Sequence, residues 1–129
     1  MQRLLLWLTP NDERLDGAGV AARFESALAP YGVVVETGRS TKLEVDRSGD
    51  QKSIIDKFNP TYRFEIDLGE GRTASQGSTV IGTSFLVRGM LYRGNSRTPL
   101  ERFYYQARAK SIPRFVDQVV EKLKAGGYL

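Results

Sequence analysis

The sequence predicts an α+β fold: a mixed sheet with two helices packed on one face. Three patterns predict it, namely a β-α-β start, a three-stranded antiparallel meander and an amphipathic C-terminal helix. With 129 residues, 40% of them hydrophobic, the chain is long enough to bury a core without disulfides or metals. We therefore expect residues 1–129 to form a single domain.

The β-α-β start is predicted from an apolar run, a helical stripe and a run of valines. Residues 4–8 are all apolar, which is typical of a central strand and too short for a membrane span or a signal peptide. Asp16 is a candidate N-cap, Gly32 a candidate C-terminal glycine, and Val33 opens the second strand. A helical link favours a parallel strand pair. The predicted buried stripe of the helix contains Val20, Phe24, Ala27, Leu28 and Tyr31.

The polar middle of the chain carries two shorter patterns. Residues 42–46 predict a short edge strand. Asp50 is a candidate N-cap for a short helix that contains Ile54, Ile55 and Phe58, and Asn59-Pro60 would end it.

The meander is predicted from strand patterns over residues 62–68, 83–93 and 101–110, with a turn at residues 94–96. Between the first two strands, residues 69–82 are rich in Gly, Ser and Thr and predict a long hairpin loop. In the first strand the side chains alternate strictly. Tyr62, Phe64, Ile66 and Leu68 should face the core, whereas Arg63, Glu65 and Asp67 should face outward.

The C-terminal helix has signals at both ends. Ser111 is a candidate N-cap, Pro113 fits the first turn, and Gly126-Gly127 should end the helix. Tyr128 and Leu129 are expected to pack back on the core. The apolar stripe contains Ile112, Phe115, Val116, Val119 and Leu123.

The chain contains no histidine and no cysteine. Serine–histidine and cysteine–histidine catalysis, zinc–thiolate sites, iron–sulfur clusters and disulfides are therefore excluded. Asp12, Glu13 and Asp16 together could bind a hard cation, but their spacing fits no EF-hand and Asp16 is better explained as a helix cap. We predict no catalytic residue, no metal site, no cofactor and no enzymatic activity.

The net charge of +4 is unevenly distributed. Residues 1–71 carry 9 basic and 12 acidic side chains, and residues 72–129 carry 10 basic and 3 acidic ones, so their net charges are −3 and +7. Such a division favours either a polyanionic partner or neutralisation between elements of the fold. The candidate residues for binding a polyanion or a protein partner are Arg88, Tyr92, Arg102, Tyr104, Arg108 and Arg114.

Neutralisation within the sheet is the competing interpretation of the basic strands. Glu65 and Asp67 would lie on the strand beside Arg88, where pairs of opposite charge are common. The basic face also lacks the aromatic–basic fingerprint of an RNA-recognition sheet. Another protein is therefore the favoured partner, a nucleic acid or other polyanion is the alternative, and an open edge strand would allow a homodimer.

The order of these elements resembles the soluble domains of small bacterial envelope proteins, including lipoproteins of the β-α-β plus meander type. The resemblance is carried by residues 24–32 with the valine strand, by residues 62–68 and by residues 115–129. It implies a non-enzymatic binding or assembly domain of the periplasm or envelope, although a cytoplasmic protein stays an alternative. The lipid-bearing cysteine of such proteins is missing here, so an anchor would have to lie in a removed leader.

Overall fold

Among the residues that the structure describes, one mixed sheet of five strands organises the fold. The computed structural model describes residues 2–10, 17–39, 47–77, 79–108 and 111–129. The strands are β1 (Arg3–Pro10), β2 (Val34–Arg39), β3 (Tyr62–Gln76), β4 (Thr79–Arg93) and β5 (Glu101–Ala107), and the α-helices are α1 (Gly17–Leu28), α2 (Arg47–Phe58) and α3 (Ile112–Ala125). The strand order is β2-β1-β3-β4-β5. β1 is parallel to β2 and β3, whereas β3, β4 and β5 form an antiparallel meander, which confirms the predicted class.

Two helices, α1 and α3, lie on one face of the sheet and contact each other, as predicted. Leu4, Leu6 and Leu8 of β1 belong to the same buried cluster as Phe24 of α1 and Phe115 of α3. Alternate residues of a strand point to the same face, so these leucines all face the helices. The whole predicted stripe of α3 is buried, and Tyr128 and Leu129 pack against the cluster.

The third helix, α2, lies against the opposite face, which we call the outer face. Leu5 and Trp7 point to this face and are nevertheless fully buried. Arg3 shares their side of β1, and its Nε donates a hydrogen bond of 2.8 Å to the carbonyl oxygen of Phe58, at the end of α2. Because β1 is covered on both faces, its sequence is a continuous apolar run instead of an alternating one.

Several predicted helix boundaries differ from the observed ones. Asp50 lies inside α2, which begins at Arg47, so Asp50 is not the N-cap of that helix. Tyr31 leaves the predicted stripe because Pro30 belongs to a 3-10 turn after α1, and Tyr31 is exposed. Ser111 precedes α3 but makes no side-chain capping hydrogen bond, since its own backbone is helical. Asp16 and the strand predicted over residues 42–46 lie outside the described residues.

The predicted hairpin loop over residues 69–82 is wrong, because β3 and β4 continue through it to a turn at Gly77. β3 pairs with β1 only as far as Leu68, and β4 pairs with β5 only from Phe85. Residues 71–76 and 79–84 therefore pair only with each other among the described strands. They form a two-stranded arm that extends about 20 Å beyond the sheet.

Candidate functional site

The outer face is covered over β1 and becomes open toward β5. Beside the buried residues of β1, Glu65 and Asp67 on β3 are half-buried. Arg88 on β4 and Arg102 on β5 are exposed, and Tyr104 on β5 is 68% exposed. We call Arg88, Arg102, Tyr104 and Gln106 the open patch.

The strand register fixes the neighbours of each residue in the open patch. Tyr104 lies directly opposite Arg88, and Arg102 lies opposite Met90. On its other side Arg88 is opposite Asp67, as the alternation of the sequence predicts. Arg88 therefore has an acid on one neighbouring strand and an aromatic ring on the other.

Arg63 lies on the face that the sequence predicts, but it is buried there. It shares the outer face with Glu65, but it is only 5% exposed instead of facing solvent. Its Nε donates to Glu65 Oε2 at 2.7 Å, and its Nη1 and Nη2 donate to the carbonyl oxygens of Gly94 and Ser96 at 2.7 and 3.1 Å. The guanidinium carbon lies 4.3 Å from the centre of the Tyr92 ring. This buried cation thus connects β3, β4 and the loop before β5.

Tyr92 belongs to the Arg63 cluster and not to the open patch. Its side chain is half-buried, and its Oη donates a hydrogen bond of 3.1 Å to Met90 Sδ. Burial, and next the charge of Glu65, raises the pKa of Tyr92 above its usual value of about 10. The phenol therefore stays protonated at neutral pH, and its surroundings are those of a packing residue.

The other two candidate arginines lie outside the strands that carry the open patch. Arg108 is exposed and follows the last residue of β5, where strand alternation no longer fixes its direction. Arg114 is exposed on α3, which packs against the opposite face of the sheet. The six candidate residues therefore do not form one surface: Arg88, Arg102 and Tyr104 come together, and Arg114 lies apart.

Within the described ranges, no group of three or more His, Cys, Asp or Glu side chains is arranged to hold a metal ion. The acids Asp12, Glu13 and Asp16 lie outside those ranges. Across the described part of the chain, no helix is both long and apolar enough to cross a membrane. The open patch offers guanidinium groups and one exposed aromatic ring. Guanidinium groups can bind carboxylates or phosphates, and an aromatic ring can contact a cation.

Solved structures share this fold, whereas no family model and no curated protein sequence matches the chain. The chain is similar to the lipoprotein GNA1162 from Neisseria meningitidis, with a TM-score of 0.57 and 13% identity over 97% of this chain and 99% of that one. It is also similar to PelC from Paraburkholderia phytofirmans, solved as a dodecamer, with a TM-score of 0.53 and 10% identity over 95% of this chain and 84% of that one. The resemblance in element order to small bacterial lipoproteins is thus confirmed for the fold.

Proposed function

We propose that this chain is a non-enzymatic assembly domain of the bacterial envelope that associates with other protein chains, including copies of itself. The observation that carries the proposal is the open sheet. In the described part of the chain, β2 and β5 each pair with only one strand, so each has a free edge. Backbone groups along such an edge can pair with a strand of another chain.

The composition of the arm supports the same proposal. No charged residue and no proline occurs between Thr73 and Val87. Charges and prolines are the usual means by which proteins prevent unwanted pairing of exposed strands. The arm lacks both from Thr73 onward, with Arg72 at its base as its one charged residue, and is therefore suited to contact another chain. The absence of histidine and cysteine and the likeness in fold to a lipoprotein and to a dodecameric protein point in the same direction.

Self-association can be tested by measuring the mass of the protein in solution over a wide concentration range. We expect oligomers of discrete mass, and the share of the protein found in them should rise with its concentration. Val34→Lys should lower that share, because Val34 lies on the β2 edge and is 55% exposed, so that a lysine there can extend into solvent and oppose pairing with another strand. Tyr31→Lys, an exposed position outside the strands, is the matched control. A single chain at every soluble concentration would contradict the proposal.

A polyanion is the second candidate partner, and the open patch favours it. The exposed ring of Tyr104 lies opposite Arg88 and is flanked along β5 by Arg102. Aromatic rings that stack on bases beside cations that contact phosphates are typical of single-strand binding surfaces.

Binding of a fluorescent single-stranded oligonucleotide, followed at increasing salt, tests this second candidate. If the patch binds phosphates, Arg102→Ala should reduce the slope of log affinity against log salt by about one. Arg114→Ala, the same change on the other side of the molecule, should leave the slope unchanged. No binding at low salt would exclude this function.

A further inference from the structure

The two free edges of the sheet are chemically complementary on the outer face. We infer that β5 of one copy pairs in parallel with β2 of the next copy, so that the chains assemble head to tail. The inference rests on the assembly function proposed above and specifies the contact that performs it.

The direction of the strands makes a parallel contact the natural one. β2 and β3 both run parallel to β1, and two antiparallel steps from β3 through β4 return β5 to the same direction. β2 and β5 therefore run the same way at opposite ends of one sheet. A second copy placed beside the first, with its helices on the same side, brings β2 against β5 in parallel. Such a contact joins two different surfaces and can repeat from copy to copy.

The side chains along the two edges select one register. On β2, Glu36 lies on the outer face because it is the register partner of Leu5, and it is exposed. On β5, Arg102 is exposed on the same face, opposite Met90. Placing Glu36 beside Arg102 forms a cross-strand pair of opposite charge.

The same register pairs the two exposed apolar side chains of the edges. Two residues before Glu36 lies Val34, which is 55% exposed, and two residues before Arg102 lies Leu100, which is 42% exposed. The Leu100 amide donates to the Leu91 carbonyl oxygen at 2.7 Å, which holds this residue beside β4 immediately before β5 begins. In a parallel pair, equal steps along both strands stay opposite each other, so Val34 and Leu100 would become neighbours.

Two-fold pairing of identical edges lacks this complementarity. Two copies of β5 in antiparallel contact would bring the basic open patches together, and Arg102 would find no acidic partner on the outer face of β5. Two copies of β2 paired around Glu36 would place like charges together. Like charges on neighbouring strands oppose pairing, so the charges favour the head-to-tail contact.

Engineered cysteines test the contact directly, because the natural chain contains none. We prepare Val34→Cys and Leu100→Cys as separate variants, both at exposed positions. Directly paired strands hold Cα atoms within disulfide distance. On mild oxidation, a mixture of the two variants should form a disulfide-linked dimer, whereas each variant alone should stay unlinked. The double variant should form a ladder of multiples.

A charge exchange gives an independent readout of the same register. Arg102→Glu should weaken self-association by about fivefold per contact, and adding Glu36→Arg should restore most of the loss. Arg114→Glu, the same charge change away from both edges, is the control. The head-to-tail contact would be overturned if Leu100→Cys alone formed disulfide-linked dimers, or if the mixed variants formed oligomers without the disulfide. Either result would leave the proposed assembly function standing. A protein that stays monomeric at every concentration would overturn both.

Discussion

Replacing Arg63 by leucine is expected to lower the free energy of unfolding by about 3 kcal/mol. The guanidinium donates to Glu65 and to two carbonyl oxygens of the loop before β5, and leucine can replace none of these hydrogen bonds. The substitution would leave Glu65, whose side chain is only 24% exposed, beside an apolar group. An acceptor that loses its partner in a buried place costs more than the hydrogen bond contributed. Urea denaturation of the variant and of the original protein measures the effect, with the same dependence of the unfolding free energy on urea concentration used for both.

The same protein supplies a matched control for Arg63. Arg23 on α1 forms an ion pair of 2.9 Å with Asp117 on α3, but these side chains are 49% and 52% exposed. Solvent screens that pair, so Arg23→Leu should cost less than about 1 kcal/mol. The loss of stability for Arg63→Lys should lie between the losses for the two leucine variants, because an ammonium group cannot reproduce the planar arrangement of donors. Equal losses for Arg63→Leu and Arg23→Leu would show that the Arg63 cluster is not a stabilising element.

Replacing Gly89 by valine is expected to lower the free energy of unfolding by about 3 kcal/mol. Gly89 lies on β4 and faces the core, and a Cβ there would lie within contact distance of three atoms of the Phe64 ring. Phe64 cannot move aside, because its ring is fully buried between Phe24 and Phe103, at centroid distances of 5.7 and 5.4 Å. The added methyl groups must therefore displace packed side chains.

The cause of this loss can be separated from a general effect of replacing glycine. Combining Gly89→Val with Phe64→Leu should cost less than the sum of the two single changes, because the smaller side chain makes room for valine. Gly17→Ala serves as the control, since its new Cβ would meet Leu68 and Leu8 at ordinary distances of 3.8 and 3.9 Å. Additive losses in the double variant would contradict a clash with Phe64. Thermal unfolding of Gly89→Val, Phe64→Leu, the double variant and Gly17→Ala measures these losses of stability.

Local periodicity predicted the elements that have one clear apolar side. The stripe of α3 and the alternation of residues 62–68 identified the residues that enter the core, because burial follows the 3.6-residue and two-residue repeats. The arm was not predicted, because its strands carry no such apolar repeat. Strands that pair outside a core need backbone hydrogen bonds but no apolar alternation, and the Gly, Ser and Thr composition of residues 69–82 is also typical of loops.

The candidate surface was predicted in part. Alternation along β5 placed Arg102 and Tyr104 on one face, and the register added Arg88. Arg114 was grouped with them because it is close in the sequence, but the chain crosses to the other face of the sheet before α3 begins. Nearness in sequence does not fix the face on which a side chain lies once a strand has ended.

By itself, the sequence determined the class of the fold, the parallel start, the meander and the exclusion of histidine and cysteine chemistry, all of which depend on composition or on short repeats. Only the tertiary structure decided which charges are buried and which are free. Arg63 and Arg102 are both outward-facing arginines of alternating strands, yet Arg63 lies in a central strand beneath Tyr92 and the loop at Gly94, and Arg102 lies on an edge. The physical reason is that the exposure of a side chain depends on strand order and on distant segments, which no local pattern contains.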